Sequence, residues 1–174
     1  MYVPEEIERI LISKEELEAR VKALGEELTR DYAGKNPLFV CVLKGASVFC
    51  CDLIRQIGCP LEIDFIRAAS YNGTVSEDIS VNESDFPDIT GRDVVIVEDI
   101  VDTAKTLSYL KKLFLERKPA SLKIAALLDK PSRRLVSGFK ADYTGFEIED
   151  LFVVGYGLDV SQKYRNLPYI GVIK

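Results

Sequence analysis

Four short strand-like runs punctuate the middle of this chain, at 38–43, 61–68, 94–97 and 122–128, and they limit its fold more than any other feature. Each is too short for a buried helix, and the third, Val94-Val95-Ile96-Val97, is wholly β-branched, as in a strand covered on both faces. Helical stretches fall at 46–57 after the first run and at 105–116 after the third. Strands alternating with helices give a parallel sheet with helices on its faces. Upstream, Ser13 and Glu16 have the spacing of a capping box, and Leu17, Val21, Leu24 and Leu28 follow at helical intervals to about residue 32. The stretch 70–88 is polar, is broken by Asn72-Gly73 and Pro87, and is too long for a simple connection. Short runs at 143–148, 152–154 and 169–173 complete the chain. The expectation is one open α/β domain over 1–174, its mostly parallel sheet flanked by helices. The core would span about 36–130, with a small hood from the chain ends, about 1–12 and 143–174.

A length of 174 residues, 47% of them hydrophobic, is enough to bury a full core. The net charge of −5 argues against a general nucleic-acid surface, so any phosphate site has to be a local device. No apolar run reaches bilayer length, and the acidic start Met1 to Glu6 lacks the apolar core of a signal peptide. A soluble, cytoplasmic protein with no nucleic-acid or membrane partner is expected. The chain has no His, which removes Ser-His-Asp and Cys-His chemistry and leaves a carboxylate, Lys, Tyr or Cys as any general base. Cys41, Cys50, Cys51 and Cys59 lack zinc-site spacing, lie in apolar stretches, and read as core thiols.

The chemistry concentrates at 94–106. The β-branched run leads into Glu98 and Asp99, where a central strand is expected to end, and ligands of open α/β sheets bind at that end. After Ile100 and Val101, the residues Asp102, Thr103, Ala104, Lys105 and Thr106 bring small and hydroxyl side chains to the start of a helix. Backbone N–H groups there form an anion nest, and the helix dipole adds attraction. Carboxylates beside a phosphate cradle suit a ribose phosphate, accepting from sugar hydroxyls or holding magnesium. An ordinary strand-to-helix turn with an acidic cap would show some of these features, but rarely all.

This segment resembles the phosphoribosyl diphosphate motif of the phosphoribosyltransferases, and the similarity extends along nearly the whole chain. The nearest resemblance is to the hypoxanthine-guanine phosphoribosyltransferases, with their type I fold. Leu43-Lys44-Gly45 resembles that family's pyrophosphate loop, which has a non-proline cis peptide before the Lys. Ser70-Tyr71 resembles the start of its mobile lid, and Leu128-Asp129-Lys130-Pro131 its purine-reading strand end. Gly145 to Ile148, Phe152 to Asp159 and Tyr164 to Pro168 resemble its hood.

The resemblance implies transfer of a 5-phosphoribosyl group from phosphoribosyl diphosphate to a 6-oxopurine, hypoxanthine or guanine, in a homodimer or homotetramer using magnesium. Asp102 would be the general base. Glu98 and Asp99 would hold the ribose and, with Asp159, the metal, while residues 102–106 hold the 5-phosphate. Lys44, Gly45 and Arg165 would meet the diphosphate. Lys130 would donate to the purine oxo group, Phe152 stack on the base, and Val153 offer backbone groups to its edge. Taken one at a time these residues have plainer readings: turn lysines at 44 and 130, a core Phe at 152, a cap for the turn 161–164 at Asp159. Two departures stand out. Ala104 replaces the motif's Gly, which costs about 1 kcal/mol if φ is positive there. The lid stretch 72–78 is acidic rather than Ser/Gly-rich. Rival functions are a xanthine-preferring enzyme and a non-catalytic nucleotide-sensing regulator on the same fold.

Overall fold

The computed structural model describes residues 2–70, 79–81 and 86–174. In chain order these form β1 (Ile7–Ile12), α1 (Lys14–Asp31), β2 (Leu38–Leu43), α2 (Ser47–Ile54), β3 (Glu62–Ser70) and β4 (Ile79–Val81). There follow β5 (Asp93–Val101), α3 (Lys105–Glu116), β6 (Ser121–Asp129), β7 (Tyr143–Glu147), β8 (Val153–Val154) and β9 (Ile170–Ile173). The large sheet has the order β4-β3-β2-β5-β6-β7. All its pairings are parallel except β3 with β4, which meet as Ala68↔Val81 and Ser70↔Ile79.

Side-chain alternation explains why the central strands are apolar throughout. Successive residues point to opposite faces, and here both faces are covered. Phe39, Cys41, Val95, Val97, Ala125 and Leu127 join the core shared with Leu17, Leu24, Phe49 and Leu53 of α1 and α2. Their neighbours Val40, Val42, Val94, Ile96, Ile124 and Ala126 join the opposite core, with Leu107, Leu110 and Phe114 of α3. The capping box forms as read: the Glu16 N–H donates to Ser13 Oγ at 3.2 Å, and the Ser13 N–H donates to Glu16 Oε2 at 2.8 Å.

A second, antiparallel sheet has the order β1-β9-β8, joining residues near both ends of the chain. Ile7, Val154, Leu167 and Tyr169 form its own small core. β1 carried no strand signal because its burial does not alternate; only Ile7 and Ile12 are buried. The run at 143–148 contributes β7 to the large sheet beside β6, so this part of the expected hood belongs to the parallel layer. α2 is shorter than 46–57, ending in a turn at Arg55. Of the four free cysteines, Cys41 and Cys50 are buried. Cys51 is exposed, against the core reading, because one helical step of about 100° turns it from the face occupied by Phe49, Cys50 and Leu53. No described helix is long and apolar enough to cross a membrane.

Ser13→Ala removes one capping acceptor and the partner that orients Glu16. It is expected to lower unfolding free energy by about 1 kcal/mol. A urea titration checks this; an unchanged midpoint would show that α1 is held by packing alone.

Candidate active site

Because β2, β5 and β6 are parallel, their carboxyl ends share one edge, and a cavity of 710 Å³ opens there. Lys44 and Gly45 line it from the β2 end, and Glu98 to Ala104 with Thr106 from the β5 end. Asp159, Gln162 and Arg165 close it from the loop between β8 and β9. The peptide bond Leu43–Lys44 is cis.

β5 does not stop at the acid pair. It pairs with β6 through Ile100↔Leu128 and Val101↔Asp129, so Glu98 and Asp99 sit inside a strand. Glu98 is only 9% exposed, and its Oε1 accepts the Asp99 N–H at 3.1 Å. Burial, and then the Asp99 charge, push the Glu98 carboxyl well above the usual carboxylate range. Burial also raises Asp99, opposed by hydrogen bonds from Glu98 and the Ile100 backbone and by the Arg165 guanidinium. Asp99 occupies the space a side chain at position 45 would need: a Cβ on Gly45 would lie 1.6 Å from Asp99 Oδ2.

The turn Asp102-Thr103-Ala104 leads directly into α3. Ala104 is its N-cap, at φ 66° and ψ 6°, so the left-handed conformation is adopted by Ala where Gly would be unstrained. Ala has no oxygen with which to cap, and the first turn of α3 carries no acidic side chain. The positive end of the helix is therefore directed at the cavity without an acid of its own to offset it. Thr103 Oγ1 accepts the Lys105 N–H at 3.4 Å.

Across the cavity, Asp159 is engaged twice. Its Oδ2 accepts the Gln162 N–H at 2.7 Å, the expected turn cap, and its Oδ1 lies 2.5 Å from an Arg165 terminal nitrogen. Arg165 also donates to the Gly157 carbonyl at 2.6 Å, while its Nε is buried with no hydrogen-bond partner among the described residues. Lys44 Nζ donates to Gln162 Oε1 at 3.2 Å, joining the two banks. The backbones touch as well: a Cβ on Gly157, at φ 103°, would lie 2.1 Å from the Gly45 carbonyl oxygen.

A model of the phosphoribosyl transferase domain family matches residues 10–161. The chain belongs to that family. It is 52% identical over 171 residues to the hypoxanthine-guanine phosphoribosyltransferase of Bacillus subtilis, covering 97% of this chain and 94% of that one. The corresponding Streptococcus thermophilus protein is 49% identical over the same shares. A solved hypoxanthine phosphoribosyltransferase of Trypanosoma cruzi, in complex with the product IMP, superposes with a TM-score of 0.92 at 38% identity, covering 100% of this chain and 98% of that one.

In this phosphoribosyltransferase the cavity gathers Lys44, Gly45, Glu98, Asp99, Asp102, Thr103, Ala104, Thr106, Asp159 and Arg165. Lys105 begins α3 but does not line it, nor do Lys130, Phe152 and Val153. Ser70 ends β3, and Tyr71 lies outside the described residues, as does most of the stretch read as a lid. Lys130 is 7% exposed, with its ammonium 3.8 Å from Asp150 Oδ1, so it is no solvated turn lysine. Phe152 is 60% exposed, which rules out the core reading, and Val153 is buried in β8. Sequence reasoning missed Gln162, which lines the cavity, and three residues beside Asp102 and Lys130. Arg133 Nε donates to Asp102 Oδ1 at 3.0 Å, Arg134 donates to the Asp102 carbonyl at 2.6 Å, and Asp150 faces both Lys130 and Arg133. The charge run from Lys130 to Arg134 was the only available signal, and surface turns share it.

Two expectations follow. Ala104→Gly relieves the left-handed strain, less the extra chain entropy of Gly, and should stabilise the protein by about 1 kcal/mol or less. Equilibrium denaturation checks it, and a lower stability would contradict the strain. Glu98 titrates above its ordinary 4.5 in the folded state, so its stabilising effect is complete below 4.5 and is lost as pH rises through the folded value. Glu98→Gln should therefore raise the melting temperature of the ligand-free protein at pH 8 and flatten its decline with pH. A steeper decline would reverse the sign.

Proposed function

We propose that this chain transfers the 5-phosphoribosyl group of phosphoribosyl diphosphate to hypoxanthine or guanine, forming IMP or GMP and releasing pyrophosphate in purine salvage. The observation that carries the site reading is the shared cavity. It sets the N-terminus of α3, entered through Ala104, beside the Glu98–Asp99 pair, with Lys44 and Arg165 facing them. The helix end and residues 102–106 take the 5-phosphate, and the acid pair accepts from the ribose hydroxyls. Lys44, Gly45 and Arg165 take the diphosphate. Lys130 donates to the purine oxo group, Phe152 stacks on the ring, and Val153 meets its edge. Ser70 and Tyr71 take part in binding the diphosphate sugar. The IMP complex of the Trypanosoma cruzi relative supports this ligand class.

The purine's imidazole N–H gives its proton to the Asp102 carboxylate while the other ring nitrogen bonds to the anomeric carbon. The bond from that carbon to the diphosphate oxygen breaks, and pyrophosphate leaves with the electron pair. Positive charge builds on the sugar ring as in other glycosyl transfers. Lys44 and Arg165 offset the charge of the departing group. Among the described residues no group of three acids or thiols forms a metal cage by itself. Magnesium usually binds through one or two carboxylates plus substrate phosphates, and the strained, buried acid pair suits that arrangement. When bound, magnesium would be held by one or two of Asp159, Glu98 and Asp99 together with substrate phosphates, and would neutralise diphosphate charge. A homodimer or homotetramer working in the cytoplasm completes the proposal.

Asp102→Asn keeps the shape but not the proton acceptor. It should slow single-turnover IMP formation about 100- to 10,000-fold, with phosphoribosyl diphosphate binding retained. A rate near wild type would remove Asp102 from the general-base role.

A further inference from the structure

We propose that Arg133 is a positioning residue for the purine half of this reaction, holding Asp102 in place while keeping Asp150 from capturing Lys130. This extends the roles proposed above for Asp102 and Lys130 and rests on them. Arg133 closes the short 3-10 turn Pro131–Arg133, directly after Lys130. Its Nε donates to Asp102 Oδ1 at 3.0 Å, and a terminal nitrogen lies 3.7 Å from Asp150 Oδ2. The other Asp150 oxygen lies 3.8 Å from the Lys130 ammonium. One guanidinium thus spans two carboxylates, and the second of these is shared with the buried lysine.

The chemistry of sharing gives the consequence. Asp150 divides its attraction between two cations at comparable distances. Without Arg133, Lys130 is the cation that remains beside it, and the ammonium is drawn towards Asp150 and away from a purine oxygen. Asp102 at the same time loses the donor that orients its carboxylate. Its backbone stays fixed, because Arg134 separately donates to the carbonyls of Asp102 and Val101. A planar fork reaches two acids at once, whereas an ammonium serves one. The Arg133–Asp102 pair is half-exposed, at 47% and 41%, and exposed pairs add little stability. The effect of losing Arg133 is therefore kinetic, not a loss of fold.

Steady-state kinetics with hypoxanthine and phosphoribosyl diphosphate test this in wild type, Arg133→Ala, Arg133→Lys, Asp150→Asn and the Arg133→Ala/Asp150→Asn double variant. Arg133→Ala should raise the hypoxanthine KM about tenfold and lower kcat about tenfold, with the diphosphate-sugar KM within about twofold and the melting temperature unchanged. Arg133→Lys should restore one of the two parameters but not both. In the Asp150→Asn background, the effect of Arg133→Ala on hypoxanthine KM should shrink below about threefold, because no carboxylate is left to capture Lys130. Unchanged kinetics, an equal rise in the diphosphate-sugar KM, full recovery with Lys, or an additive double variant would each overturn the proposal. Wild-type turnover of hypoxanthine checks the underlying activity separately, so inactivity there would count against the purine reading and not against Arg133.

Discussion

Two neighbouring carboxylates inside a strand buried on both faces are costly to keep charged, and much of the site is organised around them. Glu98 and Asp99 follow four fully buried residues and precede the turn into α3. Burial raises both, Glu98 well above the usual carboxylate range, and the Asp99 charge adds to the difficulty of ionising Glu98. The protein supplies partial relief. Arg165 approaches from the opposite bank, the Asp99 N–H points back at Glu98, and position 45 has no side chain where Asp99 lies. Donors or cations arriving with a substrate would supply the rest. A site that is poorly satisfied alone and well satisfied when loaded gains affinity from the relief.

The two sheets share one functional edge, and Ile12, Val153, Ile170 and Val172 of the small sheet pack into the same core as α1 and α2. The parallel sheet fixes the β2 and β5 ends to within a strand spacing of each other. The antiparallel sheet carries the loop with Asp159, Gln162 and Arg165 to the same place. Their relation is set in part by the Gly45–Gly157 approach, which a side chain at 157 would block, and by the Lys44–Gln162 hydrogen bond. Charge and shape meet in the same few residues, so a change in packing there would also move Lys44 and Arg165 relative to the acid pair.

The layered fold was legible because burial on both faces leaves a plain record, four strand-like runs with helices between them. α3 was read to its observed ends, and the capping box fixed the start of α1. Elements held by tertiary context were less visible. β1 has only two buried residues, and β5 continues through two acids that a sequence reading takes as a strand end. In the site, the gathering of the turn 102–106 and the acid pair at one cavity was legible because their residues are contiguous. Arg133 and Asp150 were not, because their meaning comes from Asp102 and Lys130, which lie 31 and 20 positions away along the chain from one or the other. The conformation of Ala104 was also undecidable, since the same residue is harmless at negative φ and strained at positive φ.

Arg133 and Arg134 are adjacent in sequence, yet the structure gives them different tasks. Arg134 is mostly buried, pairs with Asp129, and fastens the backbone of the turn through the Val101 and Asp102 carbonyls. Arg133 is half-exposed and touches only the carboxylate of Asp102 within that turn. A base that must accept a proton needs its backbone fixed, because its distance to the substrate matters. It also needs its carboxylate held by a contact that can adjust, because its charge changes during the reaction. A single buried arginine bonded to both would lock the charge state along with the position. Dividing the work between two neighbouring residues keeps the Asp102 backbone in place while its carboxylate, itself half-exposed, is held by a half-exposed arginine, an arrangement suited to the general-base role proposed for it.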